Sequence, residues 1–295
     1  MDPNSLNRHI EKASVLIEAL PYMQNFRGQT FLIKVGGSAM ENPELVRNLM
    51  RDIVFLEVVG INPVIVHGGG KAISAAMEDE GLEPVWVSGL RVTDAAAIEV
   101  VERMLSEVIN PHLVRLLEKN GGRSVGLAGT EVFSGRRLKG RGEDGSEVDL
   151  GFVGEVTDCR LERIRECIAG ETVPVVSPLA SEESSGQPLN VNADSAAAAL
   201  ACRLQVAKLI YLSDVLGVMH DMNDAESLVH SISHAGIEGL IADKVIVGGM
   251  IPKVRSALEA LDAGVGKVHL IDGRIPHSLL LEIFTNVGIG TEILA

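Results

Sequence analysis

Four short segments carry the residues best suited to handling phosphate. Lys34 lies in an otherwise apolar run, FLIKV, just short of Gly36 and Gly37. Burying a lysine there is costly without an anionic partner, so either a ligand meets it or it marks the strand's exposed end. His67-Gly68-Gly69-Gly70-Lys71 forms a second glycine turn after an apolar run. Glycine lets backbone amides approach a ligand closely, and the helix N-terminus that follows favours anions. One such turn is often only a tight connection; two in successive units indicate phosphate chemistry. The theme returns at Gly248-Gly249-Met250-Ile251-Pro252-Lys253. Asn190-Val191-Asn192-Ala193-Asp194 places polar side chains on one face and then enters a helix, with Asp194 either its cap or part of a polar site. The usual nucleotide fingerprints are missing: no GxxxxGK[ST], no GxGxxG opening the first βα turn, and no protein-kinase HRD or DFG set.

The surrounding pattern must position these groups. Leu6, Ile10, Ala13, Ile17 and Leu20 have helical spacing, which Pro21 ends. This helix is either a packed arm or an oligomerisation element. From Thr30 onward strand, glycine turn and helix alternate: FLIKV, a helix from Pro43 to Val59, PVIVH, a long helix capped at Thr93-Asp94 and ending near Asn120, then SVGLAG and TVPVVSP. After a junction near residue 178 come a small-residue helix (Ser195–Leu204), KLIYLSDV, a helix over Pro252–Ala263, KVHLID and a short helix from His277. This alternation predicts an α/β fold with a mostly parallel sheet covered on both faces. Residues 130–157 break the rhythm with Gly135, Gly140, Gly142, Gly145, Gly151 and Gly154, as hairpins or a flap would. Their cluster of Arg136, Arg137, Lys139 and Arg141 reads as a solvated hairpin or as a phosphate-facing lid.

Composition narrows the class. The 295 residues carry a net charge of −14, which argues against nucleic-acid binding but leaves room for a small anionic substrate. Hydrophobic residues at 46% and charged ones at 22% describe an ordinary soluble globular chain, and an aromatic share of 3% leaves the core to Val, Ile, Leu and Ala. Cys159, Cys167 and Cys202 show no ligand spacing and read as buried apolar residues in a reducing compartment. No uncharged apolar run approaches the ~18 residues of a membrane span, and no signal-peptide core stands out, so a cytoplasmic protein is expected.

Taken together, KVGGSAM (34–40), VIVHGGG (64–70), GLRVTD (89–94), FVGEV (152–156), NVNAD (190–194), LSDVLGV (212–218), GGMIPKV (248–254) and HLIDGR…LLLEIFTNVGIGT (269–291) resemble the amino acid kinase family, and within it the branch acting on N-acetyl-L-glutamate. The resemblance implies a three-layer αβα sandwich around one mainly parallel sheet of about eight strands, preceded by an extra helix. It implies an oligomerisation helix at 1–25, an acyl-substrate half at 26–178 and an ATP half at 179–295. The implied activity is ATP-dependent phosphorylation of the γ-carboxylate of N-acetyl-L-glutamate for arginine biosynthesis, with Mg²⁺ on the nucleotide and no protein metal cage. Lys34 and Lys253 would contact the transferring phosphoryl group and Asp194 would hold them. Gly36, Gly37 and Gly70 would serve ATP, as would the stretch containing Ser213, Asp214 and Gly217. Gly68, Gly69, Arg91, Asn190 and Asn192 would hold the acyl substrate. His269, Glu282 and Gly288 match positions that bind L-arginine in feedback-inhibited homohexamers, trimers of dimers joined through the N-terminal helix. Ser88, Phe152, Ser213 and Leu216 depart from the family's usual residues. An aminoadipate-type carboxylate kinase or a non-catalytic sensory paralogue would share the fold.

Overall fold

The computed structural model describes residues 3–87, 89–141, 146–221, 224–248 and 250–294. It opens on α1 (Pro3–Phe26) and β1 (Thr30–Val35). α2 (Pro43–Val58) starts where Asn42 Oδ1 accepts from the amides of Glu44 and Leu45, with proline at the helix start. β2 (Asn62–His67) and α3 (Gly70–Asp79) repeat the unit, and a small hairpin follows, β3 (Trp86–Val87) with β4 (Leu90–Arg91). α4 (Ala95–Glu102), capped by Asp94, runs through a π-helical segment (Arg103–Ile109) into α5 (Asn110–Lys119). β5 (Ser124–Leu127), a single turn α6 (Gly129–Val132), β6 (Phe133–Arg141), β7 (Glu147–Cys159), α7 (Glu162–Ala169) and β8 (Val173–Val176) come next. Beyond them lie β9 (Leu179–Glu182), β10 (Pro188–Val191), α8 (Ala193–Leu204), β11 (Lys208–Ser213), β12 (Ser231–Ser233) and α9 (His234–Ala242). α10 (Met250–Asp262), β13 (Lys267–Asp272), α11 (Ser278–Ile283) and β14 (Thr291–Leu294) complete the chain.

Eight strands form one sheet in the order β12-β14-β13-β11-β1-β2-β8-β5, with every neighbouring pair parallel except β13 and β14. Both faces are buried because alternate residues of each strand enter different cores. Phe31, Ile33 and Val35 join one cluster with α2 and α5; Leu32 joins the other with α8 and α10. The α/β expectation therefore stands. A closed four-stranded barrel, β10-β7-β6-β9, is an addition that the sequence pattern did not announce.

The N-terminal helix corrects the expected boundary. It continues through Pro21 to Phe26. Proline forfeits one intrahelical hydrogen bond, and aromatic packing offsets that loss: Tyr22 meets Phe284 edge-on at 6.4 Å and Phe26 meets Phe31 at 5.3 Å. Tyr22 also donates to the Asn286 side chain. Further up the helix, Val15, Leu16 and Ile17 are more than half exposed.

Candidate functional site

The chain leaves β1 towards β2 on one side and later returns as β11 on the other. Ligands of open α/β sheets bind at the carboxyl ends of strands around such a reversal, and the chemistry collects there. Lys34 projects from β1 towards α8 and α10, its Nζ 2.8 Å from Asp194 Oδ1. Lys253, in the first turns of α10, donates to Asp194 Oδ2 at 2.8 Å. One carboxylate thus bridges two ammonium groups brought together from residues 219 positions apart. Burial alone would raise the Asp194 carboxyl, but the Coulomb pull of Lys34 and Lys253 outweighs it and holds the group below the usual carboxylate range. The Lys34 side chain folds back across Gly36: a Cβ there would stand 2.4 Å from Nζ, so a larger residue would displace the ammonium.

A cavity of ≈ 220 Å³ opens beside this group, lined by Lys34, Asp194 and both glycine turns, Gly36, Gly37, Gly68, Gly69 and Gly70. The turns are tied together, since the Gly68 amide donates to Val35 O at 2.7 Å. The expected reading of Asp194 as a possible helix cap needs correction. Asn192 is the cap of α8, its Oδ1 accepting from the amides of Asp194 and Ser195 at 2.9 and 3.1 Å. Capping by Asn192 leaves the Asp194 carboxylate to the lysines.

Arg91, Asn190 and Asn192 also line this cavity. The Arg91 guanidinium is fixed from α3: Nη2 donates to Gly70 O at 2.9 Å and to Ser74 Oγ at 2.7 Å, and the Trp86 ring lies 4.5 Å from Cζ. Nη1 also donates to Met77 Sδ at 3.4 Å, so only part of the guanidinium's donor set is left for a carboxylate. Asn190 Nδ2 donates to Thr93 Oγ1 at 3.1 Å, which joins β10 to the segment before α4. Phe152 lies beneath the Arg137 guanidinium at 4.3 Å and packs against both hydrophobic clusters. Ser88 and Gly249 lie outside the described residues, as do Gly142 and Gly145.

Asp214 and Gly217 line a neighbouring, largely apolar cavity of ≈ 370 Å³ with Val218, Ile246 and Met250. Ser213 is not among its lining residues; it is buried at the end of β11, where its carbonyl accepts from Gly273.

His269, Glu282 and Gly288 meet in a separate cavity of ≈ 440 Å³, which also includes Tyr22 and Phe26 from α1. His269 Nδ1 and Glu282 Oε1 are 2.7 Å apart, and Glu282 Oε2 accepts from the amides of Ile289 and Gly290. Burial lowers the His269 imidazole; for Glu282, burial raises the carboxyl, but the His269 bond and the two amides outweigh it and leave it lowered. Sequence reasoning missed Lys208 here, whose Nζ is 2.9 Å from His269 Nε2. Burial, then the Lys267 charge, pushes Lys208 down to about 8. Its signal was available: a lysine opening the apolar run KLIYLS is as anomalous as Lys34 closing FLIKV. Tyr211 was also missed. It is fully buried beneath Lys253, with Oη 2.8 Å from Ser256 Oγ.

The basic hairpin proves to be neutralised. Arg136 pairs with Glu155, Arg137 with Glu182 and Lys139 with Glu147, which favours the solvated reading over a phosphate lid. Among the described residues no group of three or more His, Cys, Asp or Glu side chains could hold a metal ion, and no helix is long and apolar enough to cross a membrane.

Comparison with known proteins identifies the family. Residues 29–272 match the model of the amino acid kinase family. The acetylglutamate kinase of Akkermansia muciniphila is 56% identical over 291 residues, covering 99% of this chain and 98% of that protein. That of Aquifex aeolicus is 46% identical over 299 residues, covering 98% and 99%. Among solved structures, N-acetylglutamate synthase from Neisseria gonorrhoeae superposes with a TM-score of 0.82 at 24% identity, a likeness of fold. It covers 96% of this chain, which spans 63% of that longer protein.

Proposed function

The chain belongs to the amino acid kinase family, and from that premise we propose that it transfers the γ-phosphoryl group of ATP to the side-chain carboxylate of N-acetyl-L-glutamate, forming N-acetyl-L-glutamyl 5-phosphate for arginine biosynthesis. The observation that carries the reading is Asp194 gripping Lys34 and Lys253 at the edge of a cavity walled by two glycine turns. Near-full-length similarity to acetylglutamate kinases supports the choice of substrate.

The chemistry needs little from a base. A γ-carboxylate with a reference pKa of about 4.3 is ionised at neutral pH. One of its oxygens attacks the γ-phosphorus, the bond from that phosphorus to the β–γ bridging oxygen breaks, and ADP departs with the electron pair. The task is to align two anions and offset their repulsion. Lys34 and Lys253 supply fixed positive charge at the phosphoryl group, and the amides of the glycine turns supply donors. Asp194, already ion-paired with both lysines, orients them and has no proton to remove. Arg91, preset by Gly70 and Ser74, clamps the substrate's α-carboxylate together with Asn190, while Asn192 keeps α8 and hence Asp194 in place. The acyl substrate then rests on residues 26–178 and β10, and the nucleotide on residues 179–295 around Asp214 and Gly217. Magnesium would come on the ATP phosphates and neutralise charge there, since it keeps much of its water and needs no all-protein cage; the carboxylates present suit that arrangement, Asp194 being committed to the lysines.

Regulation by L-arginine belongs to the same reading. The cavity of His269, Glu282 and Gly288 has the base of α1 as one wall, so an effector there would feel the helix position. Glu282 accepts three hydrogen bonds and retains room for a fourth, to a guanidinium. The exposed Val15, Leu16 and Ile17 on α1 would be covered by a second copy's helix in a hexamer.

A coupled ADP-release assay comparing N-acetyl-L-glutamate, N-acetyl-L-aspartate, L-glutamate and N-acetyl-L-aminoadipate tests the assignment. The highest kcat/KM should be for N-acetyl-L-glutamate. Preference for the aminoadipate compound, or no turnover with any, would reject it.

A further inference from the structure

His67 is a titratable side chain that phosphoryl transfer itself leaves unused. It closes β2, is fully buried, and burial pushes its imidazole down to about 4, so the ring is neutral near pH 7. Nδ1 lies 2.9 Å from the Gly68 carbonyl oxygen, and Nε2 lies 3.3 Å from Asn110 Nδ2. These partners determine the tautomer independently. A side-chain amide nitrogen only donates, so Nε2 is an acceptor; a carbonyl only accepts, so Nδ1 carries the proton. The Asn110 orientation is itself fixed, because Nδ2 also donates to Val175 O at 2.8 Å, where a flipped amide would oppose two oxygens. A relay therefore runs from the β8 backbone through Asn110 and His67 to the Gly68 carbonyl.

What that relay controls is a peptide plane. The chain has no cis peptide bonds among its described residues, and across a trans peptide the Gly68 C=O and the Gly69 N–H point in opposite directions. Holding the carbonyl on the imidazole turns the Gly69 N–H away from it; Gly68, Gly69 and Gly70 line the cavity together with Lys34 and Asp194. The π-helical segment braces the same turn. Leu105 Cδ2 and Ile109 Cδ1 would stand 3.0 and 2.5 Å from a Cβ at Gly69, so any side chain there would have to displace them. The Asn110 amide bonds Leu105 O, five residues back. The resulting extra residue in the turn delivers Asn110 to the imidazole; such π segments often mark functional positions.

We propose that His67 and Asn110 are positioning residues for the transfer reaction, locking the Gly68–Gly69 peptide so that the Gly69 amide is preset towards phosphoryl oxygens. The proposal rests on the carboxylate-kinase reading above, and its test separates the two. Nitrogen-15 correlation spectra of the histidine-labelled full chain, recorded without substrate, report tautomers directly, and His67→Gln identifies the His67 signals by their loss. A neutral ring protonated at Nδ1 between pH 6 and 8 is expected. An Nε2–H tautomer, or a ring that titrates in that interval, overturns the proposal whatever the substrate proves to be. Isosteres then test the function. An asparagine amide reaches the place of imidazole Nδ1, and a glutamine amide reaches that of Nε2. His67→Asn should therefore stay within ~3-fold of the parent kcat, whereas His67→Gln should lose ~10-fold or more, part of the ~10²–10³ that one fixed oxyanion donor is worth. The KM for N-acetyl-L-glutamate should be unchanged in both. Equal kcat for the two variants, or the reverse order, refutes the positioning role. Should either variant not fold, Asn110→Leu, which leaves Nε2 without its donor, should show mixed tautomers and reduced kcat at unchanged KM; mixed tautomers with parent kcat refute it equally.

Discussion

Asp194→Asn is the substitution with the largest calculable consequence. It keeps the side chain's shape and removes the charge that sits 2.8 Å from both Lys34 and Lys253. Those two lysine side chains are only 11% and 14% exposed, so water replaces the lost partner poorly. Removing one member of a buried pair costs about 3–5 kcal/mol. Asp194 itself is 21% exposed, which places the expected loss near the lower end, about 3 kcal/mol. At about 2–4 °C per kcal/mol, Tm should fall by about 6–12 °C. Catalysis should suffer more, because two electrostatic donors lose their alignment together: kcat should drop ~10³-fold or more. Magnesium-ATP should restore part of the lost Tm, since phosphates substitute for the missing counter-charge and ligand binding to the native state stabilises it. Differential scanning with and without nucleotide, beside the coupled assay, reads both effects. The sign with pH follows from the lowered Asp194 carboxyl. Its stabilisation is present above the unfolded value of about 3.9 and disappears as pH falls through the folded one, so the Tm gap between parent and variant should close in acid. A variant within tenfold of the parent kcat, or a gap that widens on acidification, would show that Asp194 does not organise the lysines.

Lys34→Ala and Lys253→Ala should each lower kcat by ~10²–10³ with little change in the KM for N-acetyl-L-glutamate; near-normal turnover of either would move the phosphoryl site elsewhere. Arg91→Ala should mainly raise that KM, by ~10–100-fold, the equivalent of about 1.5–3 kcal/mol for a charged hydrogen bond, and a fall in kcat at constant KM would remove its clamp role. Deleting residues 1–25 should convert a hexamer into an active dimer with a weakened response to L-arginine; a native mass already dimeric in the intact chain contradicts this.

The parts of the site readable in the sequence were those with local causes. Lys34 stood out because an ammonium ending an apolar strand breaks the burial pattern, and the glycine turns stood out because their chemistry is written in consecutive residues. Asn192 and Asp194 were visible as polar residues, but which one caps α8 depends on backbone angles two positions apart, and the structure assigned the cap to Asn192. The barrel escaped notice because β6 and β7 pair with β9 and β10 across 25 or more intervening residues, and register over that distance leaves no periodic trace. Pro21 misled for the opposite reason: a strong local rule yielded to the packing of Tyr22 and Phe26. The π-helical segment has the same side-chain repertoire as the helices on either side of it, so only the Asn110-to-Leu105 backbone bond reveals it.

How a chain of net charge −14 can work between two anions is answered by where its cations are spent. Arg123, Arg136, Arg137, Lys139, Arg203 and Arg255 are each paired with a carboxylate and present little free field. At the carboxyl ends of β1 and β10 the balance reverses: Lys34 and Lys253 share a single aspartate, leaving one positive charge in excess, and Arg91 is bonded to a carbonyl, a hydroxyl and a thioether rather than to an acid. Salt confines the influence of distant acidic groups to about 8 Å under physiological conditions, whereas partly buried charges are screened much less. A bound phosphate or carboxylate therefore meets the local cations and the oriented amides of two glycine turns more strongly than the negative surface. The acidity of the whole and the anion affinity of the site are compatible because they act over different distances.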